Sequence, residues 1–145
     1  MKALQTLVPS IIVFGMLVFF HEFGHFIFAK ISDIKVNEFS LGFGPQIIGI
    51  KSKETNYSIR ILPFGGYVKM EGEDSETSDP RAFNNKSVFA RMGVVLAGPI
   101  MNFILAILLL AAISFSSGIA TTQVTVIPGE PAQQAGIRNK DQIYA

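Results

Sequence analysis

The chain has 145 residues, 49% of them hydrophobic and only 16% charged, with formal net charge +1 and no cysteine. A soluble domain is roughly 25% charged, so the composition points to a membrane, as does the mean hydropathy of +0.41. The near-zero charge gives no footing for nucleic acid, and the missing cysteines exclude disulfides, cysteine-based zinc sites and thiol catalysis.

The first element is apolar. From Leu4 to Ala29 the only charged side chain is Glu22, and about 20 apolar residues cross a bilayer core of about 30 Å. The stretch has no small-x-small cleavage site after its apolar core, so residues 1–31 are predicted as a retained transmembrane helix rather than a secretory signal. Pro9 and Gly15 are tolerable in such a helix. Inside it lies VFFHEFGHFIF, Val18–Phe28, which holds both histidines of the chain. His21 and His25 are four apart, which on a helix is about 40° around and one turn along. Two imidazoles so placed can share one metal ion, with Glu22 in reach of a water on that ion. The metal makes the water more acidic, and the glutamate can take its proton and pass it to a leaving amine. The blander alternative is a histidine pair satisfied by neighbouring helices. Glu22 weighs against that, because a carboxylate near the bilayer centre costs about 2.5–3.5 kcal/mol on insertion scales and is retained for a function. At about 1.5 Å per residue from Leu4, His21 lies about 25 Å down the helix, in the inner half of the bilayer.

Residues 32–93 form a long loop. Strands are expected around Ile47–Lys51 and Tyr57–Leu62, joined by the polar SKETN. PFGG is expected to break the second strand, with a third starting at Tyr67–Met70. The acidic EGEDSETSDP reads as a mobile excursion, and RAFNNKSVFARMGVV as an amphipathic lead-in to the next span. Phe39, Leu41, Phe43, Ile47, Ile48 and Ile50 are apolar for a solvated loop, while Gly42 and Gly44 permit close backbone approach.

A second transmembrane helix is predicted over 94–116, since Val94 to Phe115 carries no charge. Gly98-Pro99 is either a helix start or a small-residue packing site. Asn102 is the one strongly polar side chain well inside this span and either faces the site or bonds a neighbouring helix. In residues 119–145, TTQVTVI alternates as a strand, and GEPAQQAGIRNKDQIYA reads as a turn, a short helix and the start of another strand. The segment from Lys30 to Arg91 holds nine of the twelve basic and eight of the eleven acidic residues. Lys30, Lys35, Arg81, Lys86 and Arg91 flank the spans on the loop side, so the positive-inside rule puts the loop in the cytosol and both chain ends outside.

HEFGH in a first transmembrane helix, GFGP and PFGGYVKM in the following loop, and AGPIMNF in the next span together resemble the site-2 protease family of intramembrane zinc metalloproteases. The resemblance is to its bacterial sigma-E-regulator branch and covers nearly the whole chain. It implies an α-helical integral membrane protein of the bacterial cytoplasmic membrane. Two transmembrane helices would flank a cytosolic, membrane-dipping β-hairpin, and a PDZ domain would begin on the outer side. His21 and His25 would be ligands of one Zn2+ per full-length chain, and Glu22 the general base. Gly42, Gly44 and Asn102 are the substrate-binding candidates. The hairpin would present a strand edge to an unwound substrate, the alternative being an ordinary soluble hairpin packed on itself. PAQQAGIRNKDQI resembles a PDZ opening, with Asn139-Lys140-Asp141 matching its Gly-Asp region only in part.

A catalytic zinc usually has three protein ligands. The family supplies the third as an aspartate in an LDG-type motif on a later helix, and no such motif occurs in these 145 residues. The expectation is a truncated chain, inactive alone. The full protein would be an endopeptidase cleaving single-span membrane proteins, such as anti-sigma factors and remnant signal peptides, within the bilayer. A non-catalytic scaffold or metal-handling protein that keeps the motif is the reading from another class.

Overall fold

A computed structural model describes residues 2–118, 124–129, 131–138 and 140–142. Contacts divide the chain into two compact units, Met1–Leu108 and Leu109–Ala145.

In the first unit, helix α1 runs Lys2–Ile31 and helix α2 begins at Val88 and continues to Ser117. Both are long and apolar enough to cross a membrane. Helix α1 ends in a Schellman arrangement. Asp33 takes φ +53°, its N–H bonds the Lys30 carbonyl at 3.1 Å, and the Ile34 N–H bonds the Ala29 carbonyl at 2.8 Å. Ile34 and Ala29 are both fully buried, the apolar contact that accompanies this cap. Helix α2 starts six residues before the expected span. Ser87 caps it, its Oγ accepting the Ala90 N–H at 3.3 Å.

Between the helices lie two long antiparallel strands, β1 (Val36–Ser52) and β2 (Thr55–Met70), turning at Lys53–Glu54. PFGG does not break β2. Gly65 takes φ +85°, Gly42 +86° and Gly44 +82°, so the glycines absorb bulges that bend both strands without ending them. The bend multiplies the pairing. Residues 46–52 pair antiparallel with 55–60. Residues 38–41 pair antiparallel with 66–69 on one side and, with numbers rising together, against 56–59 on the other. Two strands thus make four rows, and 66–70 is an outer row with no further strand beside it among the described residues. Arg60 holds the bend. It donates to Glu38 Oε1 at 2.8 Å, Ser40 Oγ at 3.1 Å and the Gly44 carbonyl at 2.6 Å.

The core joins the inner half of this sheet to the helices. Ala29, Ile34, Val36, Phe39, Val68, Met70 and Val94 are buried together, with Phe19, Phe23 and Phe26 packed on them. The distal half is uncovered, with Ile47, Ile48, Ile50 and Phe64 each more than half exposed. The acidic loop is tied down rather than free. Asn85 Nδ2 donates to the Thr77 and Asp79 carbonyls at 2.9 and 2.8 Å, and the Phe83 N–H bonds the Glu71 carbonyl at 2.7 Å. Within it, Thr77 Oγ1 and Asp79 Oδ1 accept from the Asp79 and Arg81 N–H groups at 3.3 and 2.8 Å. At the same end, Glu54 of the hairpin turn pairs with Lys30 (2.5 Å) and Arg81 (2.8 Å), and Asp33 pairs with Arg81 (2.9 Å) and Lys86 (3.2 Å).

In the second unit, a short helix α3 spans Pro131–Gln134. Val124 exchanges two backbone bonds with the 140–141 segment, at 2.8 and 3.0 Å. Among the described residues that pairing is what the structure gives for the expected strand, whose first residues, Thr121–Gln123, lie outside them. So do Asn139 and the start of the last expected strand at 143–145.

Candidate metal centre

Helix α1 carries two working faces. Phe19, Phe23 and Phe26 fall on one side by helical spacing, and His21 and His25 on the opposite side. The phenylalanines stack on one another and meet Phe39 of the sheet, with ring centroids 5.2–6.4 Å apart. That packing turns the histidines toward α2. Glycines let the two helices close up: a Cβ on Gly24 would strike the Ala97 backbone, and one on Gly93 would strike the Phe28 ring.

The imidazoles of His21 and His25 sit with centroids 4.8 Å apart and planes at 83°. The Nδ1 of His25 lies 2.7 Å from the Val94 carbonyl oxygen. A carbonyl only accepts, so Nδ1 carries the proton and Nε2 keeps its lone pair. A Cβ placed on Gly98 would lie 2.5 Å from His25 Nε2 and 2.9 Å from His21 Cε1. Both rings therefore pack onto the bare Cα of Gly98, where the Cβ of any larger residue would collide with them. Two imidazoles one helical turn apart, brought together on one face of α1, are a donor set that suits a zinc-type ion. Among the described residues no group of three or more His, Cys, Asp or Glu is placed to hold a metal, so the fit is to a partial ligand set.

Glu22 faces a cleft of about 280 Å³ together with His25, Gly66, Val68, Met70 and Glu73. A Cβ on Gly66 would lie 3.0 Å from Glu22 Cγ and 2.8 Å from the Ser40 carbonyl oxygen. The outer row of the sheet thus runs directly past the carboxylate. The Glu71 N–H bonds the Lys35 carbonyl at 2.9 Å, on the β1 side. By strand alternation the N–H and C=O groups of Gly66, Val68 and Met70 point the other way, away from β1. The Met70 N–H is met by Glu73 Oε2 at 3.3 Å. A roomier groove of about 350 Å³ beside Val88, Met92 and Leu96 is mostly apolar, with Arg91 its one charged residue, and holds neither histidine nor Glu22.

The other sequence candidates fall in different places. Asn102 reaches the histidine pair, with Nδ2 3.2 Å from His21 Nδ1. Gly42 and Gly44 do not line the Glu22 cleft. A Cβ on Gly42 would strike the Leu62 carbonyl, and Gly44 meets the Ile61 and Leu62 side chains, so both serve the bend in the sheet. The glycines that stand at the cluster are Gly66 and Gly98. Both belong to motifs visible in the sequence, PFGG and AGP, but neither motif says which glycine faces a carboxylate or an imidazole. The Val94 carbonyl has no sequence signal at all.

The family model of peptidase family M50 matches residues 9–142. A Clostridium acetobutylicum protein assigned as a zinc metalloprotease is 54% identical over 139 residues, covering 95% of this chain and 41% of the relative. A Thermotoga maritima protein with the same assignment is 37% identical over 147 residues, 97% of this chain and 29% of the relative. Zinc metalloprotease RasP of Geobacillus kaustophilus is 51% identical over 76 residues, 52% of this chain and 18% of the relative. The chain spans about two fifths or less of the length of these relatives.

Proposed function

The chain belongs to peptidase family M50, and from that membership we propose that it is part of a zinc-dependent intramembrane endopeptidase. The observation that carries the reading is the convergence of His21 and His25 over Gly98, with Glu22 beside them, on a helix of membrane-spanning length. His21 and His25 hold the metal through Nε2. A third ligand is required and comes from protein outside residues 1–145, as an aspartate in the family's manner.

Zinc, when bound, supplies a Lewis acid that polarises the scissile carbonyl and acidifies a water. Glu22 takes the proton of the attacking water and delivers it to the departing amine. The Val94 carbonyl keeps His25 in the ligating tautomer. The outer row Gly66–Met70 receives the substrate as an added strand, since its outward N–H and C=O groups run past Glu22. A transmembrane helix must unwind before its peptide bonds can be reached. The resemblance to the site-2 protease family implies single-span membrane proteins, anti-sigma factors and remnant signal peptides among them, as the substrate class.

The domain plan follows: residues 1–31 and 94–116 within the two spans, 32–93 a cytosolic loop whose uncovered distal half dips into the bilayer, and 119–145 the start of an outer PDZ domain. Support for the dip is the exposed surface of Ile47, Ile48, Ile50 and Phe64. The membrane is the bacterial cytoplasmic membrane, with both ends of this segment outside.

The test is Glu22→Gln in the full-length protein, co-expressed with a single-span substrate. The variant inserts, keeps its zinc and accumulates uncut substrate, with activity down at least 10²–10⁴-fold, the range for general acid–base groups. Cleavage near the wild-type rate would sink the enzyme reading and leave the scaffold in its place.

A further inference from the structure

Asn102 sits mid-span on α2 with Nδ2 3.2 Å from His21 Nδ1, while its Oδ1 is buried with no hydrogen-bond partner. Taken as placed, the amide N–H donates to Nδ1. The ring proton of His21 is then forced onto Nε2, the nitrogen that has to face the metal. The two ends of an asparagine amide are interchangeable by a half-turn. With the half-turn made, Nδ1–H of His21 donates to Oδ1, and Nε2 keeps the lone pair that a metal would need. The half-turn gives up no hydrogen bond of Oδ1, which makes none as placed.

We infer that Asn102 is a positioning residue, its side-chain oxygen holding the His21 proton on Nδ1 so that Nε2 is free to ligate. The inference rests on the metal reading of His21 and His25 and deepens it. Asn102 and the Val94 carbonyl become equivalent devices, one for each histidine. Second-row partners of metal-ligating histidines work this way, fixing tautomer and ring orientation. It also explains a strongly polar amide in the middle of an apolar span without calling on substrate.

The experiment measures zinc affinity of the purified full-length protein by competition with a chromophoric chelator, in wild type, His25→Ala, Asn102→Leu and Asn102→Asp. Leucine matches the size of asparagine and suits a span, so loss of folding is not expected of that variant. Asn102→Leu is expected to bind zinc 10–100-fold more weakly. Asn102→Asp accepts from Nδ1–H in either orientation and is expected to stay close to wild type, short of that 10–100-fold loss. The visible absorption of its cobalt-substituted form should be unchanged, which shows the carboxylate is a hydrogen-bond partner and not a new ligand. Wild-type affinity in Asn102→Leu overturns the inference, as does an equal loss in both variants, which would assign the residue to packing. Full zinc retention in His25→Ala overturns the metal reading itself, a result distinct from either.

Discussion

Gly98→Ala is the sharpest test of how α2 shapes the site. The added Cβ would lie 2.5 Å from His25 Nε2, about 0.9 Å short of an ordinary contact at 3.4 Å, and it also crowds His21 Cε1 at 2.9 Å. Neither imidazole can swing away freely, because His25 is held at 2.7 Å by the Val94 carbonyl and His21 by Asn102. The helices must therefore part by something near an ångström, or the rings must abandon their partners. Overpacking of this kind costs about 1–3 kcal/mol of stability. Metal binding suffers more, since ligand positions tolerate only about 0.2 Å. The full-length variant should insert and retain its helical circular dichroism, yet bind zinc at least 10–100-fold more weakly. Zinc affinity within twofold of wild type would refute the claim that Gly98 is what lets the two rings take up their ligating positions.

Two further outcomes are expected. Glu54 is held at a pKa of about 2, against an ordinary 4.5, chiefly by its hydrogen bonds from Arg81 and then Lys30. A carboxylate whose pKa is lowered on folding stabilises the fold above its unfolded value and loses that contribution as pH falls through the folded one. Thermal stability should therefore drop between about pH 4.5 and 2, by a small amount since exposed pairs are worth about 0.2–1 kcal/mol. Glu54→Gln should flatten that limb, and an unchanged pH profile in the variant would remove the ion pairs from the account. For orientation, a cysteine at Ser78 should react with impermeant reagents only in opened cells and one at Thr122 in intact spheroplasts, and the reverse pattern would invert the topology.

Helical periodicity is local, so the shared face of His21 and His25, and the opposite face of Phe19, Phe23 and Phe26, can be derived from spacing alone. What those faces touch cannot. The carbonyl of Val94 and the bare Cα of Gly98 act through a helix crossing sixty-nine and more residues away in sequence, and neither has a side chain that signals it. The sheet illustrates a different difficulty. Glycines in PFGG are equally good strand breakers and bulge formers, and only the pairing of Leu41 with Gly66 decides for the bulge. Gly42 and Gly44 were attractive as points of close backbone approach, and close approach does occur, but to β2. For the acidic loop, charge count carries no information on whether Asn85 will reach back to bond Thr77 and Asp79.

The outer row at Gly66–Met70 carries a condition on the resting protein. Unpaired peptide groups are not tolerated in hydrocarbon, so where this row lies at membrane depth it must be wet whenever no substrate strand covers it. On the proposed reading, the slot for a substrate strand and the source of hydrolytic water beside Glu22 are then the same space. A substrate strand that docks there trades solvent bonds for peptide bonds, at a net gain of only about 0.5–1.5 kcal/mol each, and that gain is the same for any sequence. Backbone docking can hold a substrate in register but cannot choose it. Discrimination has to come from whether a given helix unwinds, and from whatever restricts access to the slot.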